Sequence, residues 1–156
     1  MDHGFTGTTD HPEIDALLEE HREAKRLLSV VEGRLGVGGT PASEWASGVA
    51  AALVPLMENL RMHFASEERG CLHTEVPVMA PHLATHCARL LEEHAQILQG
   101  FERSLERLRL LAEEHIGDAK AVSKRVRMVI ATLRRHEAEE NELLMNAFWE
   151  DLGAKD

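Results

Sequence analysis

Histidine and glutamate residues recur in this 156-residue chain at a constant spacing. Three positions in the first half have a counterpart of the same type 73 residues later. The pairs are His21 and His94, His63 and His136, and Glu67 and Glu140. The flanks repeat as well, because Leu-Leu-Glu-Glu precedes both His21 and His94. Four imidazoles and two carboxylates in two matching halves are a ligand set suited to two metal ions.

His63 and Glu67 are four residues apart, as are His136 and Glu140. On an α-helix, residues at this spacing lie on one face about one turn apart, so each pair can reach the same ion. Both pairs fall on apolar stripes, where an unpaired glutamate would be costly to bury and a cation would remove that cost. One such pair alone is typical of a solvated ion pair. Two pairs, each with a histidine 42 residues upstream, predict metal ligands.

The mixture of imidazole and carboxylate without thiolate favours iron or manganese and leaves zinc as a further candidate. We expect one glutamate from each half to bridge the ions. Each ion would then take two histidines and keep a position open for a small ligand. Two divalent ions, offset by two glutamates and one bridging hydroxide, would leave little net charge in the buried site.

Four segments with apolar residues at helical spacing must position these ligands. The breaks between them fall near 36–41, 70–80 and 117–118, which are rich in glycine and proline or contain Gly-Asp. Ser43 is a candidate cap for the second helix, and Pro55 predicts a kink or bulge within it. No segment alternates with period two. The chain is therefore predicted to be all-α, an antiparallel up-down four-helix bundle with an internal pseudo-two-fold repeat over residues 12–152, after a flexible tail over 1–11.

Composition narrows the class of protein. Apolar residues make up 44% and charged residues 28%, as in soluble globular proteins, and no apolar run approaches the ~20 residues of a membrane span. The net charge of −10 and the lack of a basic stripe argue against nucleic acid as a partner. Two cysteines and no visible secretory signal predict a cytoplasmic protein that does not bind membranes.

The order His, His-x-x-x-Glu, His, His-x-x-x-Glu resembles the hemerythrin-like (HHE) cation-binding domains, four-helix bundles that hold a non-haem di-iron centre. The resemblance covers roughly residues 12–150. It implies two iron ions with an oxo or hydroxo bridge, with Glu67 and Glu140 as bridging ligands. The histidine ligands that it implies are His21, His63, His94 and His136. The implied function is binding or activation of dioxygen, peroxide or nitric oxide.

Leu90 marks a departure from the oxygen-carrying members of that family, which place His-x-x-x-His on the third helix. The repeat counterpart of Leu90 is Leu17, so both halves carry leucine one turn before the histidine. We therefore expect a centre with four histidines rather than five, which disfavours reversible oxygen carriage. Ferritin-like bundles use Glu-x-x-His, and no histidine here has glutamate three residues before it.

Three classes of function remain open at this point: an oxidoreductase that uses peroxide or dioxygen, an iron store or sensor without turnover, and a structural metal-binding module. His82 and His86 form a second His-x-x-x-His of unassigned role, too far along the helix from His94 to share its ion. Several glutamates near the ligands are predicted to lie on solvated helix surface, although Glu68 is also a candidate extra ligand. They are Glu20, Glu68, Glu93, Glu137 and Glu139.

Overall fold

The computed structural model describes residues 12–70 and 75–154, with side chains described except at 13, 14 and 148–154. In these ranges the chain is helical outside short connections and contains no strand, which confirms the all-α class. The helices are α1 (Pro12–Leu35), α2 (Ala42–Arg69), α3 (Glu75–Met79), α4 (Ala84–Glu114) and α5 (Ala119–Ala154). The predicted tail over 1–11 lies outside the described residues, and the domain boundaries at 12–152 stay a prediction.

The short helix α3 lies in a segment that was predicted only as a connection. Its five residues are too few to show helical periodicity, and Pro77 lies among them. Val76 is nevertheless fully buried. A turn of 3₁₀-helix, Pro81–Leu83, leads from α3 into α4. The described chain therefore has five α-helices, four of them long, instead of the four predicted.

The connections between the long helices are tight. Gly39 takes a positive φ of 76° in the turn between α1 and α2. His115 ends α4 in the left-handed conformation, with φ 55°. The side chain of Asp118 then accepts a hydrogen bond from the backbone N–H of Ala121, which satisfies a free donor in the first turn of α5. Such connections place consecutive helices side by side.

Two details of α2 differ from the prediction. The residue at its N-cap is Pro41, and no side chain caps the helix. Ser43 lies inside the first turn and is not the cap. The helix continues through Pro55 to its end at Arg69.

Packing buries the apolar stripes in two clusters. α1 packs on α2, α2 on α4, and α4 on α5, and α5 also contacts α1 and α3. The large cluster comprises the buried residues Ala24, Leu28, Val31, Leu35, Ala46, Val49, Ala52, Leu53, Leu56, Met57, Leu60, Phe64, Ile97, Phe101, Leu108, Leu111, Val122, Val126, Ile130 and Leu133. The small cluster comprises Leu17, Val76, Ala80, Cys87, Leu90, Leu143, Leu144 and Ala147.

The space between the two clusters is the important feature of the fold. On α1, α4 and α5, the candidate histidine lies between a residue of the small cluster and a residue of the large cluster. The polar residues are therefore sealed from both sides by apolar packing.

None of the described helices combines the length and the apolar character needed to cross a bilayer.

Candidate metal centre

Six buried polar side chains meet between the two apolar clusters, and they are the six predicted from the repeat. Each is at most 3% exposed. α1 contributes His21 and α4 contributes His94, while α2 and α5 each contribute a histidine and a glutamate one turn apart. These residues face inward because they continue the apolar stripes of their helices. The structure thus brings all six together; their role as metal ligands stays a prediction.

Two overlapping groups of ligand atoms form the centre. One consists of His21, His63, Glu67 and Glu140, and its ligand atoms all lie within 4.8 Å of one another. The other consists of His94 and His136 with the same two glutamates, at the same spacing. Each group joins the two histidines of one half of the repeat. The glutamates belong to both groups.

The glutamates reach imidazoles from both halves. Oε1 of Glu67 is 3.6 Å from Nε2 of His21 and also contacts His63, while its Oε2 is 3.1 Å from Nε2 of His94. Oε2 of Glu140 is 2.9 Å from Nε2 of His21, and its Oε1 is 3.6 Å from Nε2 of His94. Each carboxylate therefore lies between two pairs of imidazoles, as a bridging ligand must.

The outward-facing nitrogen of every histidine in the centre is hydrogen-bonded. Nδ1 of His63 is 2.7 Å from Glu20, and Nδ1 of His136 is 2.9 Å from Glu93. The two remaining contacts are His94 Nδ1 to Glu68 at 3.2 Å and His21 Nδ1 to Asn141 at 2.9 Å. Carboxylate and amide oxygens accept hydrogen bonds, so Nδ1 carries the proton and donates. In the neutral tautomer, Nε2 then points a lone pair into the centre.

The inward-facing atoms have no hydrogen-bond partners. This holds for Nε2 of all four histidines and for all four carboxylate oxygens. Some of these atoms are close, such as Nε2 of His136 and Oε1 of Glu140 at 2.8 Å. A neutral imidazole that carries its proton on Nδ1 has no hydrogen on Nε2 to donate, so proximity alone does not satisfy these atoms. Buried polar atoms are normally satisfied, and cations placed between these converging lone pairs would satisfy them.

In the metal-free protein these cations are protons. Burial lowers the pKa of His21, but the contacts with Glu140 and Glu67 outweigh burial and raise that pKa to about 10. Burial also lowers the pKa of His94, but the same two glutamates outweigh burial and raise that pKa to about 9. The pKa values of the other two histidines move in the same direction. Burial favours a high pKa for Glu140, but Glu67 and the imidazoles hold it well below its usual range.

In a comparison with protein-family models, residues 12–148 match the hemerythrin HHE cation-binding domain. The chain belongs to this family. The matched range contains all six residues of the centre and the four residues that accept hydrogen bonds from Nδ1. No curated protein matches the chain significantly, and no solved structure does. Family and geometry together show a hemerythrin-like cation-binding domain whose buried histidines and glutamates are able to hold metal.

Glu20 and Glu93 were predicted to be solvated surface residues with no part in the centre. The structure gives both of them a part in it. Each neighbours a histidine of the centre in sequence but accepts a hydrogen bond from the histidine 43 residues later, on the next long helix. Glu68 is also an acceptor, for His94. The 73-residue repeat of this hemerythrin-family sequence could have indicated these acceptors. Glu20 and Glu93 are repeat counterparts, as are Glu68 and Asn141.

Glu137 was likewise wrongly predicted to be on the surface. It is only 4% exposed, and its Oε1 has no hydrogen-bond partner. Burial raises the pKa of this carboxyl. Its repeat counterpart is Phe64, whose ring stacks on His94 with centroids 3.9 Å apart. The two halves of the centre therefore differ at this position.

Residues outside the centre have other contacts. Glu139 is partly exposed and lies 2.9 Å from Arg89 and 3.5 Å from Nε2 of His86. No group of ligand atoms among the described residues includes His82 or His86. Cys87 is a buried free thiol of the small cluster, and burial raises its pKa, so it does not supply a thiolate ligand. The centre is built from nitrogen and oxygen alone.

Proposed function

We propose that the protein holds two metal ions, iron in the first place, and that this pair binds or activates a small ligand such as dioxygen, peroxide or nitric oxide. One observation carries the proposal: two groups of inward lone pairs share the carboxylates of Glu67 and Glu140. His21 and His63 would hold one ion. His94 and His136 would hold the other.

The donor set supports iron. Imidazole and carboxylate suit iron and manganese, and two histidines with shared carboxylates would leave positions open on each ion. When bound, a redox-active pair would supply the electrons for chemistry on a small oxidant. The chain's own residues hold and orient the ligands, through hydrogen bonds from Nδ1, and the two apolar clusters limit the entry of water. Zinc or manganese would fit the same atoms, which is why the metal must be measured.

The distribution of apolar residues supports the predicted antiparallel bundle. Along α1 and α4 the chain passes from the small cluster, through the centre, to the large cluster. Along α5 the order is reversed, with Leu133 before the centre and Leu143 after it. Opposite orders on neighbouring helices favour opposite directions. The recurrence of the hydrogen bonds Glu20–His63 and Glu93–His136 supports the pseudo-two-fold repeat.

The alternatives are an iron store or sensor that does not turn over, and a structural metal-binding bundle. A single experiment separates them. Protein produced in iron-rich medium is analysed for metal, reduced without oxygen, and then exposed to air or peroxide while absorption is recorded. We expect two irons per chain and a spectrum that changes with oxidation. Consumption of peroxide would indicate an enzyme, whereas metal release without consumption would indicate storage.

Far less than one metal per chain after iron supplementation would contradict the proposal. So would a protein that takes up only zinc and shows no spectral response to air. The matched control is Glu19→Gln, since the side chain of Glu19 is 72% exposed and forms its ion pair with Arg22, which is also exposed. This variant should bind iron as the unmodified protein does.

A further inference from the structure

The four hydrogen bonds that orient the histidines are not equivalent. Three of the acceptors are carboxylates: Glu20, Glu68 and Glu93. The fourth is the amide of Asn141, which accepts from Nδ1 of His21. Glu68 and Asn141 occupy corresponding positions of the repeat, 73 residues apart. The amide is therefore a replacement at one position of an otherwise repeated set.

This difference acts on the metal through the imidazole ring. A carboxylate that accepts from Nδ1–H pulls the proton outward and makes Nε2 a stronger donor to a metal, and it also places a negative charge near the ion. A neutral amide fixes the ring orientation but does both of these less well. The His94 and His136 pair has two carboxylate acceptors. The His21 and His63 pair has one carboxylate and one amide.

The surroundings differ in the same sense. On the His94 side, the ring of Phe64 stacks flat on the imidazole, with an interplanar angle of 6°. On the other side, a cavity of about 380 Å³ between α1 and α5 is lined by Asn141, Glu137, Lys25 and Arg134. The cavity thus adjoins Asn141, the residue that orients His21.

Glu137 does not take the place of the missing carboxylate. No group of potential ligand atoms among the described residues includes it. Its Oε1 is buried without a hydrogen-bond partner, so this oxygen does not accept from a histidine. The difference in hydrogen-bond acceptors between the two ion positions therefore rests on Asn141 and its counterpart Glu68.

We propose that the two ion positions have unequal affinities, and that the exchange of Glu68 for Asn141 across the repeat sets this difference. The His94/His136 position fills first and retains its ion. The His21/His63 position is weaker and exchanges its ion through the cavity beside Asn141. This inference rests on the two-ion function proposed above and adds the order of loading. Asn141 and Glu68 act here as positioning residues.

The test is a titration of metal-free protein with Zn²⁺. Calorimetry and NMR of ¹⁵N-labelled histidine rings monitor the titration. Loss of one such acceptor typically changes metal affinity by about 10–100-fold. We therefore expect two binding steps separated by at least about ten-fold. At one equivalent of Zn²⁺, the ring signals of His94 and His136 should shift while those of His21 and His63 remain.

Reciprocal variants sharpen the test. Asn141→Asp should strengthen the weaker step and bring the two affinities together, and Glu68→Gln should weaken the stronger step. The double variant should reverse the order of filling. Gln96→Glu and Glu142→Gln are the charge-matched controls, because both residues are exposed on α4 and α5. Neither control should change the ratio of the two affinities. Circular dichroism checks that each variant is folded.

The outcomes distinguish this inference from the proposed function. If the unmodified protein binds no Zn²⁺, the two-ion centre itself is contradicted. If it binds two ions with equal affinity, or fills the His21/His63 position first, only the inference is overturned. It is also overturned if Asn141→Asp and Glu68→Gln leave the ratio unchanged in folded protein.

Discussion

Glu20 adjoins His21 in sequence, yet its carboxylate accepts a hydrogen bond at 2.7 Å from Nδ1 of His63 on the next helix. The side chain of Glu20 is 41% exposed, whereas that of His63 is 1% exposed. A partly exposed residue thus sets the tautomer and orientation of a buried one. The same relationship holds between Glu93 and His136 in the second half. Both glutamates should matter to metal binding although neither is among the six residues of the centre.

Replacing these acceptors should weaken metal binding without removing a ligand. Glu93→Gln keeps the size of the side chain but removes the charge that strengthens His136 as a donor. We expect metal affinity to fall by about 10–100-fold, as is typical when such a partner is mutated. Competition with a chelator of known affinity measures it. Glu92→Gln, at the exposed neighbouring position, is the control; an equal effect in both variants would show that the hydrogen bond is not the cause.

Replacing a residue shared by both ion positions should change the number of bound ions differently from replacing a residue of one position. Glu140 contacts histidines of both halves, whereas His136 belongs to one group only. Glu140→Ala should therefore weaken both ion positions, and His136→Ala should remove one ion and leave the other. Metal analysis after gel filtration gives the number of ions per chain. Loss of both ions in His136→Ala would mean that the two positions do not bind separately.

Metal uptake should release protons near neutral pH. His21 and His94 have pKa values of about 10 and about 9 in the metal-free fold, so both are protonated at pH 7, and a metal must displace those protons. Apparent metal affinity should accordingly rise with pH until both histidines are neutral. Calorimetry in two buffers of different ionisation enthalpy measures the protons released. No dependence on the buffer would contradict the raised pKa values.

The stability of the metal-free protein should fall on the alkaline side. The folded pKa values of His21 and His94 lie above 6.5, their ordinary value. Their contribution to stability is therefore complete below about pH 6.5 and is lost as the pH rises through about 9 and about 10. Urea unfolding of the metal-free form between pH 6 and 10 tests this. Metal-loaded protein, in which the imidazoles are neutral, should lack this decline.

Two glycines should respond in opposite ways to larger side chains. A Cβ added at Gly33 in α1 would have no neighbouring atom within 4 Å, so Gly33→Ala should stabilise the helix by about 0.5–1 kcal/mol. At Gly100 in α4 a Cβ would lie 3.1 Å from both methyl groups of Val129 on α5. Gly100→Leu should cost about 1–3 kcal/mol through overpacking. Chemical denaturation of the metal-free form measures both; a stabilising Gly100→Leu would contradict this close approach of α4 to α5.

Much of the centre could be predicted from the sequence alone. The spacing of four between His63 and Glu67 places both on one face of any α-helix, and the apolar stripe turns that face inward. The same reasoning applies to His136 and Glu140. The helix α3 and the start of α2 were not readable, because five residues show no period and a proline N-cap has no side-chain acceptor.

The sequence by itself determined the all-helical class and the six inward residues. Helical periodicity is a local property, and the repeat identifies matching residues that could not be recognised from one half alone. Only the tertiary structure decided which acceptor serves which histidine. Glu20 points away from its own neighbour's face and reaches His63 because α1 and α2 pack side by side. Hydrogen bonds between helices depend on the distance and rotation of both, which no spacing along one chain segment specifies.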